Sequence, residues 1–287
     1  MRDFQYHVPA SLSEALLLLD QYREDARILS GGSALVNFMK QGLVSAEHII
    51  SLQRVTDSIR DITWEPDGLH LGARATHREV ETSTLVKQRA PLISSVYSQV
   101  STVRIRNVAT VGGGLAHADP AQDPAPGLIA SDATVHLASS HSDRFVPVAE
   151  LFKDYFETIL RPDEIIAEVI VPPAKPATST VYFTFLPRTA DDYATLSVAI
   201  SLRGSLGTPI TDVRVGLGGL GATPLPATAV EQALEGQEPT ADVIQRAAEA
   251  VLTDISPLDD FRGSADYKRE MAVVFVRRAL QRALSQA

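Results

Sequence analysis

The sequence predicts an α+β protein of two domains, and three observations carry that reading. Its opening reads strand, helix, strand with short joints. Its later half holds three runs of strict apolar–polar alternation, at Val181-Phe183-Phe185, Leu196-Val198-Ile200-Leu202 and Val213-Val215-Leu217. Its tail carries two apolar stripes at helical spacing. A chain of 287 residues corresponds to about two domains of average size.

Residues 4–7 form the first short strand. Ser11 and Glu14 then match a capping box, and Leu12, Ala15, Leu16 and Leu19 follow at helical spacing. Residues 26–29 read as a strand that runs into Ser30-Gly31-Gly32-Ser33. Residues 34–42 read as a helix with Gly42 as its stop, and 48–52 as the next strand. Residues 58–64 and 69–73 flank Pro66-Asp67-Gly68, a hairpin signal. Helices are expected over 76–81 and 92–101. Strands are expected over 134–138, 145–148 and 165–171. Pro172, Pro173 and Pro176 mark a domain boundary. The three alternating runs beyond it imply a three-stranded antiparallel sheet with one dry face. Ile244, Ala247, Ala248, Val251 and Leu252 make one helical stripe. Ala272, Phe275, Val276, Ala279, Leu280, Ala283 and Leu284 make the other.

Composition removes several function classes. A 45% hydrophobic and 21% charged chain is ordinary globular material. It contains no cysteine, so it has no thiol nucleophile and no thiolate-held zinc or iron–sulfur cluster of its own. A net charge of −9 argues against a nucleic-acid-binding field. The longest greasy run near the N-terminus, residues 15–19, falls far short of the ~20 residues that cross a bilayer. The start shows no targeting pattern. A soluble, cytoplasmic protein is expected.

Two glycine loops are the informative features. Ser30-Gly31-Gly32-Ser33 joins a strand to a helix, and Thr110-Val111-Gly112-Gly113-Gly114 sits in a block of small residues. Such loops let backbone N–H groups approach an anion; a plain strand-to-helix turn fits the first equally well. Gly216-Leu217-Gly218-Gly219-Leu220-Gly221 formally matches a dinucleotide fingerprint. That motif needs a helix opening at its third glycine, and Pro224 and Pro226 forbid one. There is no phosphate loop ending in Gly-Lys-Ser/Thr, no metal-spaced histidine pair and no nucleophile elbow. His77 and His117 stand out by neighbourhood; for each the plain reading is a polar helix or loop residue, and His77 favours it. Asp119 and Asp123 admit three readings: a carboxylate pair, local capping of the loop, or hydrogen bonding of polyol hydroxyls.

These segments together resemble a family. Ile28-Leu29-Ser30-Gly31-Gly32-Ser33-Ala34-Leu35 is similar to the first FAD loop of the molybdenum hydroxylase flavoproteins. The block from Ile105-Arg106-Asn107 through Gly112-Gly113-Gly114 to Asp123 resembles their second FAD loop. Ala75-Thr76-His77 and Gly219-Leu220-Gly221-Ala222-Thr223-Pro224 fit in the right order. The family is the FAD-binding medium subunit of the carbon monoxide dehydrogenase and xanthine dehydrogenase type.

The resemblance implies a two-lobed FAD domain of the vanillyl-alcohol-oxidase (PCMH) type over residues 1–175, with lobes of about 1–55 and 56–175. A C-terminal domain follows over 176–287. It implies a flavoprotein oxidoreductase subunit with no catalytic acid or base and no metal of its own. A small subunit would carry iron–sulfur clusters and a large one the molybdenum cofactor, in a dimer of heterotrimers. Electrons would pass from the clusters through FAD to an external acceptor, and the large subunit would choose the substrate. A self-sufficient FAD-dependent oxidase or reductase of the same fold is the alternative.

Residue by residue, Leu29, Ser30, Gly31, Gly32, Ser33, Ala34 and Leu35 would hold the pyrophosphate and adjoining FAD. Thr110, Gly113, Gly114, Ala116 and His117 would complete the diphosphate and ribityl contacts, and Asp123 would hydrogen-bond the FAD chain. Val100, Ser101, Ile105 and Ala109 would line the pocket, with Ile166 near one wall. Tyr193, after Asp191-Asp192, would cover one flavin face or else pack into the core. Arg188 is the nearest cation for the pyrimidine edge.

Overall fold

Strands Gln5–His7, His48–Ser51 and Ala26–Leu29 lie side by side in that order as a parallel sheet. The computed structural model describes residues 3–186 and 193–286. Helix Leu12–Tyr22 connects the first two strands in sequence and buries Ala15, Leu16 and Leu19, the stripe the spacing predicts. The Ser11 hydroxyl accepts the Glu14 N–H. The Glu14 carboxylate takes the Ala10 N–H instead of that of Ser11, so the expected box closes one residue early. A complete box stands at Thr76 and Glu79. Helix Leu35–Gln41 stops at Gly42 in the left-handed region, as its sequence requires.

The second sheet has five antiparallel strands in the order Ile62–Glu65, Gly68–Gly72, Ile165–Val171, Thr134–Ala138, Asp143–Pro147. The hairpin begins later than its sequence suggests, because Ser58–Arg60 is a single 3-10 turn. Leu69, Leu71, Val135, Leu137 and Val169 pack beneath helices Pro91–Gln99, Val111–His117 and Pro124–Ile129. Ala138, Ile165 and Ala167 share a separate core with Ala15, Leu16, Leu19 and Ile50. That common core joins the first sheet to the second and leaves a cleft between them.

The third sheet contains the three predicted strands, as Thr178–Phe185, Leu196–Arg203 and Thr211–Gly218. The expectation of three is corrected to four: Leu225–Pro226 pairs with the outer strand. Pro226 is tolerated there because an edge strand can lack one donor. Helices Ala241–Ala250 and Ala265–Leu284 cover the dry face. The glycine run at the end of Thr211–Gly218 is a contact surface. A Cβ on Gly216 would stand 2.1 Å from the Pro126 carbonyl oxygen, and the Gly219 N–H donates to Pro120 O at 2.8 Å. Among the described residues no helix is long and apolar enough to cross a membrane.

Candidate functional site

Strand Ala26–Leu29 ends at Ser30, and helix Leu35–Gln41 starts five residues on. Between them the chain turns without using its own donors. The consecutive N–H groups of Gly31, Gly32, Ser33, Ala34 and Leu35 meet no acceptor among the described residues. Adjacent unspent amides in a turn make a concave, electropositive nest.

The second loop is built against the first. Thr110 caps helix Val111–His117 by accepting the Gly113 N–H at 3.3 Å, and the same hydroxyl donates to Ser30 Oγ at 2.9 Å. Backbone contact brings the loops closer still. A Cβ on Gly31 would lie 1.8 Å from the Val108 carbonyl oxygen, so only glycine permits this approach. Below the loop, His77 is buried at 4% exposure, with Nε2 3.2 Å from Thr110 O. It opens helix His77–Thr82, as its sequence suggests, but with its ring buried. Burial drops its pKa to about 4, despite the Thr110 carbonyl, so the ring is neutral support for the loop.

A cleft of about 650 Å³ opens where the two loops meet. Leu29, Leu35, Val44, Leu52 and Ile166 give it apolar walls. At one side the ring of His117 lies edge-on to Phe38, with centroids 5.1 Å apart, and 5.3 Å from Phe156. Burial lowers the His117 pKa, so the imidazole is neutral at physiological pH. The carboxylate that lines the wall among the described residues, Glu164, is already committed: Arg144 binds it at 2.7 and 2.8 Å, and the Arg161 N–H at 2.7 Å. Against its burial, these donors keep it below the usual range. Another hollow, of about 700 Å³, is ringed by Asp3, Glu24, Asp25 and Glu47; its charge would repel an anion.

The cleft brings together Leu29, Ser30, Gly31, Gly32, Ser33, Ala34, Leu35, Thr110, Gly113, Ala116, His117 and Ile166. It does not bring in the others. The Val100 and Ser101 carbonyls are taken by Arg106 Nη1 at 2.8 and 2.7 Å. Ile105 is partly exposed on its own short helix, Ala109 gives its carbonyl to His77 N–H, and Gly114 rests against the His77 ring. Asp119 caps its own turn by accepting the Ala121 N–H, the contact that the local-capping reading expects. Asp123 accepts the Tyr182 hydroxyl at 2.8 Å across the seam between the second and third sheets. Burial pushes Asp123 up to about 7, with Tyr182 opposing and Asp119 adding. Tyr193 is half-exposed beneath the Arg262 guanidinium, 5.4 Å away. Arg188, Asp191 and Asp192 lie outside the described residues. Phe38 and Phe156 carry no sequence signal, because ring placement across separate elements leaves no local pattern.

The comparisons agree across the chain. Residues 2–174 match the family described as the FAD binding domain in molybdopterin dehydrogenase. Residues 181–283 match the CO dehydrogenase flavoprotein C-terminal domain. The chain is 33% identical over 280 residues to a carbon monoxide dehydrogenase medium chain of Hydrogenophaga pseudoflava, covering 98% of this chain and 96% of that one. It is 30% identical to a glyceraldehyde dehydrogenase medium chain of Sulfolobus acidocaldarius, covering 97% and 98%. Its fold is similar to a solved carbon monoxide dehydrogenase from Hydrogenophaga pseudoflava, which lacks the Mo-pyranopterin moiety. That match has a TM-score of 0.95 and 34% identity, and covers 100% of this chain and 99% of that one.

Proposed function

The chain belongs to the FAD-binding medium-subunit family of the molybdenum hydroxylases, and from that premise we propose that it is the electron-transfer flavoprotein of such a complex. The single observation that carries this reading is the row of five open amides from Gly31 to Leu35, pinned to the second loop through Ser30 and Thr110. The donor set suits the diphosphate of FAD: neutral N–H groups and hydroxyls, with no lysine, on a nest aimed into an apolar cleft. Flat rings suit walls of leucine, isoleucine and phenylalanine. FAD, when bound, supplies the redox chemistry, accepting electrons from a partner and yielding them to an external acceptor.

The protein's own residues bind and orient. Leu29 to Leu35, with Thr110, Gly113, Ala116 and His117, hold the nucleotide and diphosphate. Ile166, Phe38 and Phe156 exclude water from its flanks. Asp123 and Tyr193 serve the flavin end, and Val100, Ser101, Ile105, Ala109 and Gly114 frame the second loop behind it. We assign the cofactor domain to residues 1–175, with lobes of about 1–55 and 56–175, and the C-terminal domain to 176–287. The partners are a small iron–sulfur subunit and a large molybdenum subunit in a cytoplasmic dimer of heterotrimers. A chain without cysteine cannot house the clusters itself.

The test is purification of the native complex. A yellow preparation that releases FAD on denaturation, with molybdenum and iron in companion subunits, is expected. If the isolated chain oxidises an organic substrate at a useful rate, the electron-transfer reading fails.

A further inference from the structure

One polar side chain near the site has no employment in the fold. Gln122 is 8% exposed, and neither its Nε2 nor its Oε1 has a hydrogen-bond partner. A buried carboxamide open at both ends is costly unless something completes it. The turn that carries it does not need it. The Gln122 N–H donates to Asp119 O at 3.1 Å, and Asp119 Oδ1 holds the Ala121 N–H at 2.9 Å.

Its position narrows what it can meet. The Ser30–Thr110 clamp marks the start of helix Val111–His117, and Gln122 lies beyond the other end. Seven helical residues span about 10 Å. The next residue, Asp123, is tied to Tyr182. The same turn is tied to the third sheet: the Gly219 N–H donates to Pro120 O at 2.8 Å, and a Cβ on Gly219 would lie 2.8 Å from Thr195 O, two residues on from Tyr193. The turn that carries the carboxamide is therefore on the Tyr193 side, one helix length from the Ser30–Thr110 clamp.

A carboxamide offers one donor face beside one acceptor. Phosphate oxygens satisfy only the first, and apolar ring edges neither. We propose that Gln122 hydrogen-bonds the flavin half of the bound dinucleotide, its amide pairing with the adjacent N–H and C=O of the pyrimidine edge. This rests on the FAD reading above and adds a residue to it that no glycine pattern would flag.

The test compares FAD with ADP, which shares the nucleotide half and lacks the flavin. Full-length apoprotein of the wild type and of Gln122→Leu is titrated with FAD by flavin fluorescence and with ADP by competition. The proposal expects FAD affinity to fall about tenfold in Gln122→Leu, ADP affinity to stay unchanged, and the visible bands of bound flavin to shift. Equal losses for FAD and ADP would put the amide at the adenine and overturn it. Weaker FAD binding with unshifted bands would leave only a ribityl contact and overturn the pairing, as would no change at all. Gln122→Glu, which keeps the acceptor and the size, serves if Gln122→Leu does not fold; its FAD affinity should also drop while ADP binds normally. A wild-type chain that takes up no FAD defeats the cofactor reading itself, a result distinct from each of these.

Discussion

The hydroxyl of Thr110 stands 2.9 Å from that of Ser30, and this bond joins two loops that are 80 residues apart in sequence. Thr110 also caps a helix with the same oxygen. Thr110→Val therefore loses a cap and a bridge together and should cost about 1–2 kcal/mol of stability. Ser30→Ala loses the bridge alone and should cost about 1 kcal/mol. Thr110→Ser keeps both contacts. Urea denaturation of the three variants checks the order, and equal midpoints would refute it.

Gly31→Ala should separate the loops. The new methyl would meet a backbone carbonyl, Val108 O, which cannot swing aside like a side chain. Overpacking of this kind costs about 1–3 kcal/mol. The larger effect should be on FAD retention, because the nest moves away from the Thr110 side of the cleft. Flavin content after gel filtration is the measurement; full retention in Gly31→Ala would contradict the close-approach argument.

The stability of the five-stranded sheet should depend on two histidines. His70 Nδ1 lies 2.9 Å from Glu168 Oε2, and His136 Nδ1 lies 3.4 Å from Glu168 Oε1. Against burial, Asp67 and Glu168 raise the pKa of His70. Glu168 foremost raises that of His136. A raised histidine stabilises fully below its unfolded pKa of about 6.5 and loses that contribution as pH rises through the folded value. The urea midpoint should therefore decline from about pH 6.5 upward, and His70→Gln with His136→Gln should flatten the decline. Glu168 works the other way: its lowered pKa gives stability above about pH 4.3 that is lost at lower pH.

Asp123 and Tyr182 should behave as one unit. The folded pKa of Asp123, about 7, exceeds its unfolded value, so this group lowers stability as pH climbs from about 4 to 7. Asp123→Asn removes that dependence. Tyr182→Phe deletes a side-chain donor on Asp123 and should cost about 1–3 kcal/mol once the carboxyl ionises. In the double variant most of that loss should disappear, since no charge is left unsolvated. Strict additivity of the two variants would show that they do not interact.

Local signals were readable in the sequence where one element supplies its own cause. The strand before Ser30, the Gly42 stop and the alternating runs from Val181 to Leu217 all follow from periodicity or a single residue type. Helix Val111–His117 escaped because its three glycines disfavour a helix; the Thr110 cap and the packing of Val111 and Leu115 impose it from outside. Burial of His77 and the partnership of Asp123 with Tyr182 depend on contacts between distant segments, which leave no spacing to read. The same holds for the cleft: its glycine nest was visible, and its aromatic flank was not.

The five open amides of the first loop have a further consequence. Each is a labile proton with nothing in the fold to guard it, so each should exchange quickly with deuterated solvent in the apoprotein. Cofactor uptake would slow them together. Mass spectrometry of the peptide spanning Gly31 to Leu35 could then serve as a count of loaded chains during assembly.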